Sequence, residues 1–322
     1  MTTSMTIRNV QETHSGRSIS FATSTASIPE TIASSDADNL YLIDSTFLFE
    51  RSRDTFHGAP LLLNSGGQDT TMLFGFAREL LRLRKELSIR HTLVVIGDGE
   101  PCLPESFMPD AIRFLTLLRV PVVYVKGSPA GDVCAGLAER SAWIVTGNKA
   151  MLQLISDQCG VILLKGNAWE AITAATIKDL FGILPNQAPS LLALTEKTSR
   201  DSLLTQKQAV RFLQLHGTLE TGLEKAANGI LGQLGRKLIA ARDALPGRCR
   251  ELQFRAVSHS AFDGGYKGTK FIEEEQSAAS VLKEYGFWSL VRLLPLPRQG
   301  LVRSLSVAAE SSSGAVLRQK HI

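Results

Sequence analysis

Four polar residues of this chain each follow a short apolar segment that is long enough to form one buried strand. In a parallel sheet the carboxyl ends of such strands meet at one edge, and open α/β folds place ligands and catalytic groups there. Carboxylate and amide side chains at that edge would bind a ligand or take part in catalysis. These residues are Asp44, Asp98, Asp132 and Asn148. We therefore predict that they share one cleft, although the turn Gly147–Asn148 taken alone would be an ordinary tight turn.

The elements that must position these residues alternate between strand and helix. The apolar segments are separated by amphipathic ones, whose apolar residues recur at helical spacing. This alternation predicts an α/β fold with a mostly parallel, doubly wound sheet flanked by helices. The predicted strands are Leu40–Ile43, Thr92–Ile96, Val120–Val125, Ala142–Thr146 and Val161–Leu164, and the predicted helices are Thr70–Leu87, Pro109–Leu118, Val133–Glu139 and Lys149–Ser156.

Beyond Leu164 the pattern changes to a series of short helices. We therefore predict an α/β domain over residues 39–168 and a helical region over residues 169–294. The predicted helices of the second region are Ile172–Phe181, Pro185–Leu194, Thr205–His216, Leu219–Leu245 and a pair within Glu273–Leu293. Residues 1–38 are rich in Ser and Thr and have no apolar signal core, so we predict a disordered extension or an organelle transit peptide. A disordered tail is predicted for residues 295–322.

Composition limits the classes of protein to consider. The chain has 322 residues, 44% of them hydrophobic, which is enough for one large domain or two small ones. Its net charge of +4 permits a polyanionic partner without requiring one. The four cysteines show no C-x-x-C pair and no Cys/His ligand spacing, which favours a reduced intracellular protein without structural zinc. No apolar run reaches transmembrane length, so no membrane partner is predicted.

Six motifs occur in one order along most of the chain, from about Leu40 onward. They are LYLIDSTFLFERS, GGQDTTMLFGFARELLRLRKEL, VVIGDGE, VPVVYVKGSPAGDVCAGLA, IVTGNKAMLQLISDQCGVILL and ATIKDLFGILPNQAPSLLAL. In this order they resemble the 5′–3′ exonuclease domain of bacterial DNA polymerase I and the related flap endonucleases, which share a PIN-like α/β core. The final LKEYGFWSLVRLL, ending at Leu294, is similar to the last helices of that domain as well.

The resemblance implies phosphodiester hydrolysis by two divalent ions, which a cluster of carboxylates holds at the sheet edge. Asp44 and Asp98 match the first two acids of the family, and Asp132 matches the last acid of its E-A-D-D motif. Four other acids are replaced, by Pro129 and Gly131 in E-A-D-D and by Asn148 and Ala150 in T-G-D-K-D. The later acids of the family have no unique match, although Glu196 and Asp201 lie nearby. We therefore predict no required cofactor and at most one weakly bound Mg²⁺ or Mn²⁺, on Asp44, Asp98 and Asp132.

Two features that hold the substrate in the family also differ here. The family places a basic arch after its second acid, whereas only five residues separate Asp98 from Pro104. The family's helix–hairpin–helix has a Gly-rich hairpin that meets the phosphates of duplex DNA. The matching segment, SLLTQKQAV, has Lys207 in place but no glycine. The resemblance therefore implies a missing arch and a degenerate helix–hairpin–helix.

The leading hypothesis is a nucleic-acid-binding member of this family, with DNA favoured over RNA and with hydrolysis lost or strongly reduced. A protein partner is compatible with it, as is a mitochondrial or other organellar location. An active nuclease with a rearranged site is the first alternative, with Glu100, Glu105 or Asp157 as substitute ligands, and a scaffold without nucleic acid is the second. The predicted nucleic-acid contacts, each of which singly also fits a solvated helix face, are Arg51, Arg78, Arg82, Lys149, Lys197, Arg200, Lys207 and Arg211.

Overall fold

The computed structural model describes residues 39–58, 60–64, 66–98, 107–138, 142–195, 197–198, 201–229, 232–258 and 275–294. Outside this range lie both terminal segments, residues 1–38 and 295–322, and the segment 99–106, which follows Asp98. Glu100, Glu105, Glu196, Arg200 and the side chain of Lys197 also fall outside it.

A six-stranded sheet forms the centre of the described structure. Its strands are β1 (Leu40–Asp44), β2 (His91–Ile96), β3 (Val122–Tyr124), β4 (Ala142–Thr146), β5 (Cys159–Lys165) and β6 (Ala168–Ile172), in the order β3-β2-β1-β4-β5-β6. Strands β1 to β5 are parallel, and β6 runs antiparallel to β5. The predicted mostly parallel sheet is therefore confirmed.

Helices connect the strands and continue after them. The first group is α1 (Ser45–Phe56), α2 (Thr71–Glu86), α3 (Phe107–Leu117), α4 (Ala130–Leu137) and a 3₁₀ helix, Lys149–Leu154. The second is α5 (Ile177–Phe181), a 3₁₀ turn (Pro185–Gln187), α6 (Ala188–Thr195), the two-stranded hairpin β7–β8 (Lys197–Thr198 and Asp201–Ser202), α7 (Gln206–His216), α8 (Leu219–Ala227), α9 (Gly232–Ala240) and α10 (Leu245–Glu251). The last is α11 (Glu275–Glu284), followed by the 3₁₀ helix Trp288–Leu293.

The sheet separates two apolar clusters, because successive side chains of a strand point to opposite faces. Leu42 of β1 packs in one cluster with α4 and the helices α6 to α8. Its neighbour Ile43 packs in the other with α1, α2, α3 and α11. Both residues are fully buried, which contributes roughly 1.5–3 kcal/mol for each side chain. The strand that ends in Asp44 is thus held firmly from both sides.

Two predicted helices differ clearly from the observed ones. The helix predicted from Ile172 begins only at Ile177, and it is preceded by strand β6 (Ala168–Ile172), which the sequence did not predict. The chain reverses at Gly166, whose φ of 56° suits glycine, so β6 returns beside β5. The predicted helix Leu219–Leu245 is divided into α8 and α9. Gly229, after the end of α8, has a φ of 75°, and Gly232, the first residue of α9, has a φ of 55°.

Within the described residues, no helix combines the length and the apolar character needed to cross a membrane.

Candidate functional site

Asp44 ends β1 and begins α1. Its side chain is 3% exposed. One carboxylate oxygen, Oδ1, accepts a hydrogen bond from the Phe47 backbone N–H at 3.3 Å and so caps α1. The other, Oδ2, accepts one from the Thr146 hydroxyl at 2.7 Å, and Thr146 Oγ1 accepts one from the Asn148 N–H at 2.9 Å. The first predicted acid therefore fastens the ends of β1 and β4 to each other.

Asp98 follows β2 and fastens the turn after β3. Its Oδ2 accepts a hydrogen bond from the Gly127 N–H at 2.6 Å, and its own N–H donates to the Ser128 carbonyl at 3.0 Å. Partial burial and then the hydrogen bond and negative charge of Asp98 raise the pKa of the Tyr124 hydroxyl. This carboxylate thus accepts hydrogen bonds from the end of β3 and from the turn that follows it.

Asp132, in the first turn of α4, holds a segment that comes from far along the chain. Its Oδ1 accepts a hydrogen bond from the Arg255 N–H at 2.8 Å, and its carbonyl accepts one from the Val257 N–H at 3.1 Å. Gln153 holds the same segment from the other side. Its Nε2 donates to the Leu252 carbonyl at 2.8 Å, and its Oε1 accepts from the Phe254 N–H at 3.2 Å. We call residues 252–257 the strap.

The strap packs against a position at which the family has a carboxylate. The ring of Phe254 lies against Gly131 so closely that a Cβ at position 131 would overlap it. Position 131 is where the E-A-D-D motif has its first aspartate. Ala150, where T-G-D-K-D has its second, is 3% exposed and donates its N–H to Asn148 Oδ1 at 2.9 Å. A carboxylate at position 131 would therefore require the strap to move.

A cavity of about 420 Å³ remains at this edge. Asp44 and Asn148 line it, together with Pro129 and Gly131, whereas Asp98 and Asp132 do not. The structure thus brings two of the four predicted residues into one cleft and turns the other two toward neighbouring backbone. Among the described residues, no three His, Cys, Asp or Glu side chains are grouped so that they could hold a metal ion.

The substitute ligand Asp157 lies at the wrong edge of the sheet. It precedes β5, and the Gln158 carbonyl beside it accepts a hydrogen bond from Ala142, the first residue of β4. Because β4 and β5 are parallel, this places Asp157 at their amino ends, whereas Asp44 lies at the carboxyl end of β1. Asp157 therefore cannot contribute to the cleft.

Three predicted nucleic-acid contacts are ion-paired within the fold. Glu79 of α2 has a side chain that is 6% exposed, and Arg51, Arg78 and Arg82 all approach it, at 3.6, 3.6 and 3.0 Å. Arg51 and Arg82 also hydrogen-bond Asn167 in the turn between β5 and β6. Burial acts to lower the pKa of Arg82, but Glu79 and Glu86 outweigh it and raise that pKa. These arginines join α1, α2 and the β5–β6 turn.

Other basic residues are exposed. Lys149 follows Asn148 at the cleft, and Lys207 and Arg211 lie along α7. The sequence prediction missed a second group, on α9, α10 and the strap. Between residues 236 and 255 there are six basic side chains and two acidic ones, an imbalance that the sequence already contains. The exposed members of this group are Arg236, Lys237, Arg242, Arg250 and Arg255.

No protein-family model matches the chain, but curated proteins do. DNA polymerase I of Bacillus caldotenax is 25% identical over 303 residues, covering 80% of this chain and 32% of the polymerase. DNA polymerase I of Deinococcus radiodurans is 30% identical over 227 residues, covering 61% and 23%. The 5′–3′ exonuclease of Aquifex aeolicus is 27% identical over 214 residues, covering 58% and 72%. The chain thus spans about a third or less of the length of these two polymerases.

Solved structures share the fold. The catalytic core of Rad2 in complex with DNA substrate has a TM-score of 0.58 at 14% identity, covering 80% of this chain and 93% of that one. The bacteriophage T5 D15 flap endonuclease, in a pseudo-enzyme–product complex with DNA and metal ions, has a TM-score of 0.51 at 13% identity, covering 77% and 100%. The chain therefore has the fold of these nucleases and is similar in sequence to part of DNA polymerase I and to a 5′–3′ exonuclease.

Proposed function

We propose that this protein binds nucleic acid, DNA in preference to RNA, and that its phosphodiester hydrolysis is lost or strongly reduced. The observation that carries the proposal is the hydrogen bonding of the three acids that match acids of the family. Asp44, Asp98 and Asp132 each accept hydrogen bonds from groups of the chain itself. The position of a fourth acid is covered by the Phe254 ring.

Two-ion hydrolysis requires more oxygen ligands than this cleft supplies. Mg²⁺ demands near-octahedral oxygen coordination and gives up its water reluctantly. The cavity is lined by two carboxylates, Asp44 and Glu50, and by the amide of Asn148, and both oxygens of Asp44 already accept hydrogen bonds. An asparagine amide offers a carbonyl oxygen without negative charge, so it neutralises neither the ion nor the phosphate. The residues present do not fit a pair of divalent ions, and we propose that no metal is required.

Nucleic-acid binding is supported by exposed positive charge outside the cleft. Lys207 and Arg211 lie on α7. The other exposed basic residues lie on α9, α10 and the strap, and the strap reaches the cleft through Phe254. Phosphate contacts of this kind supply most of non-specific nucleic-acid affinity. The Rad2 and T5 D15 proteins with the same fold are in complexes with DNA in their structures. This supports DNA as the partner of the present chain.

We also propose an intracellular location, without choosing between cytosol and organelle. The three described cysteines, Cys134, Cys159 and Cys249, are buried free thiols. Burial raises the pKa of Cys159 to about 12 and raises that of Cys134 as well. Unreactive thiols of this kind fit a reducing compartment, where disulfides do not form.

The test is a binding titration beside a cleavage assay. Fluorescence anisotropy with single-stranded, duplex and 5′-flap DNA should give affinities in about the micromolar range at low salt, as for non-specific binding. The same DNA incubated with Mn²⁺ should remain intact. Asp44→Asn is the control for cleavage, because an asparagine can still cap α1. Robust cleavage that disappears in this variant would overturn the loss of hydrolysis, and absence of binding at low salt would favour the scaffold hypothesis.

A further inference from the structure

The cavity at the sheet edge has a lining that suits a planar, uncharged ligand. We propose that it receives a single unpaired nucleobase of the bound nucleic acid. The proposal rests on the proposed function and names the part of the nucleic acid that the cleft recognises.

The charges of the lining oppose a phosphate. Asp44 and Glu50 contribute carboxylates, and no Lys, Arg or His is among the described residues that line the cavity. A phosphate would meet negative charge without a neutralising cation, and desolvation in a cleft strengthens that repulsion. A neutral base carries no such penalty. Its exocyclic amino and ring N–H groups donate hydrogen bonds, so carboxylate acceptors favour it.

Two aromatic rings line the same cavity, and each of them lies against a glycine. Phe254 covers Gly131 and Phe47 covers Gly147, and in both cases a Cβ on the glycine would overlap the ring. Both phenylalanines are half-buried, so part of each ring stays accessible. Unpaired bases stack on such rings in many nucleic-acid-binding proteins, because every base has a π-face. The strap therefore places an aromatic ring for stacking, Phe254, beside position 131, where the same ring leaves no room for a carboxylate.

The polar groups of the lining match the edge of a base. Asn148 uses its Oδ1 to accept the Ala150 N–H, which leaves its amide N–H₂ as a donor. Thr46 Oγ1 is buried and has no hydrogen-bond partner among the described residues. Glu50 supplies an acceptor, since both oxygens of Asp44 already have donors. A cavity of about 420 Å³ is within the usual range for small-ligand pockets, about 300–1,000 Å³.

The test uses a gapped duplex with one unpaired 2-aminopurine and a distant dye. Anisotropy of the dye reports total binding, and 2-aminopurine fluorescence reports stacking. We expect quenching by the wild-type protein, retained in Phe254→Tyr and lost in Phe254→Ala, which should weaken binding about 10-fold, as typical for one stacked base. An abasic analogue at the same position should weaken wild-type binding equally and leave Phe254→Ala unaffected. Gln253→Ala, the exposed neighbour on the strap, is the matched control.

The outcomes separate this proposal from the proposed function. Binding that neither the abasic analogue nor Phe254→Ala weakens would overturn the base pocket and leave nucleic-acid binding intact. Absence of binding to every duplex at low salt would overturn both. Thermal unfolding of each variant shows that a lost signal is not lost folding.

Discussion

The three acids predicted at the sheet edge, Asp44, Asp98 and Asp132, each accept hydrogen bonds from a different part of the chain. Asp44 caps a helix and accepts from Thr146, Asp98 clamps a turn, and Asp132 holds the strap. Hydrogen bonds to charged groups contribute about 1.5–3 kcal/mol each. These residues therefore have a structural role as acids that does not depend on catalysis.

The Asp98–Tyr124 contact gives a titration that tests this at one residue. Partial burial and Asp98 raise the pKa of Tyr124. A raised folded-state pKa means that the stability gained from the protonated phenol is present below the unfolded pKa and is lost as pH rises through the folded value. We expect Asp98→Asn to return the pKa of Tyr124 toward its ordinary value. Ultraviolet titration of tyrosinate measures the shift, Tyr124→Phe identifies the phenol, and an unchanged titration would contradict the contact.

Gly131 gives a second prediction at the residue scale. Gly131→Ala adds a Cβ that overlaps the Phe254 ring, and overpacking of this kind costs about 1–3 kcal/mol. Gly247→Ala is the matched control, because nothing lies within 4 Å of a Cβ there. Urea unfolding should show a loss only in the first variant, and Phe254→Ala should relieve it. Equal stability of Gly131→Ala and the wild type would show that the ring does not cover this position.

The same contact bears on the proposed loss of hydrolysis. The family's acids at the four replaced positions would be introduced by Pro129→Glu, Gly131→Asp, Asn148→Asp and Ala150→Asp together. Because an aspartate at position 131 and the Phe254 ring compete for one space, we expect Mn²⁺-dependent cleavage only when Phe254→Ala is added as a fifth change. A cleavage assay on 5′-flap DNA compares the fourfold and fivefold variants. Cleavage by the fourfold variant would show that the Phe254 ring moves aside for an aspartate at position 131, and it would contradict this prediction.

At the scale of elements, the strands and their carboxyl ends follow from the sequence. Buried parallel strands are continuous apolar runs, so β1, β2, β4 and β5 are recognisable from local pattern alone. The strap is not, because its position depends on hydrogen bonds between residues about a hundred positions apart, such as Phe254 with Gln153. The edge strand β6 depends likewise on a reversal at Gly166 and on pairing with β5. The side of the cleft that Phe254 forms could therefore not be predicted from local sequence pattern.

The strap gives the prediction at this scale. Gln153 holds both the Leu252 carbonyl and the Phe254 N–H. Gln153→Ala removes both bonds and should cost about 1–3 kcal/mol. Hydrogen exchange at the amides of Phe254, Arg255 and Val257 should become faster, while exchange in β1 changes only as far as global stability does. Gln158→Ala, an exposed glutamine before β5, serves as control. Unchanged exchange in the strap would mean that Asp132 suffices to hold it.

At the scale of the whole molecule, positive charge is divided into two kinds. Arg51, Arg78 and Arg82 surround the nearly buried Glu79 and join elements of the fold. Lys207, Arg211 and the basic group of α9 and α10 face solvent. The net charge of +4 does not distinguish the two kinds. The sequence alone cannot do so either, because the partners of an arginine depend on packing. Only the exposed kind is available to phosphates without breaking an ion pair.

A double substitution on α7 and a single one on α2 distinguish the exposed basic residues from the ion-paired ones. Lys207→Ala with Arg211→Ala should leave unfolding unchanged, weaken DNA binding, and reduce the slope of log affinity against log salt by about 1–2, one for each lost phosphate contact. Arg82→Ala should do the reverse. It removes partners from Glu79, Glu86 and Asn167, costs about 1–3 kcal/mol of stability, and leaves the salt slope in place. Anisotropy titrations at several salt concentrations and urea unfolding measure both. If Arg82→Ala lowered the salt slope with unaltered stability, the arginines around Glu79 would contact phosphate after all. An unchanged slope in the Lys207/Arg211 double variant would instead remove the role assigned to α7.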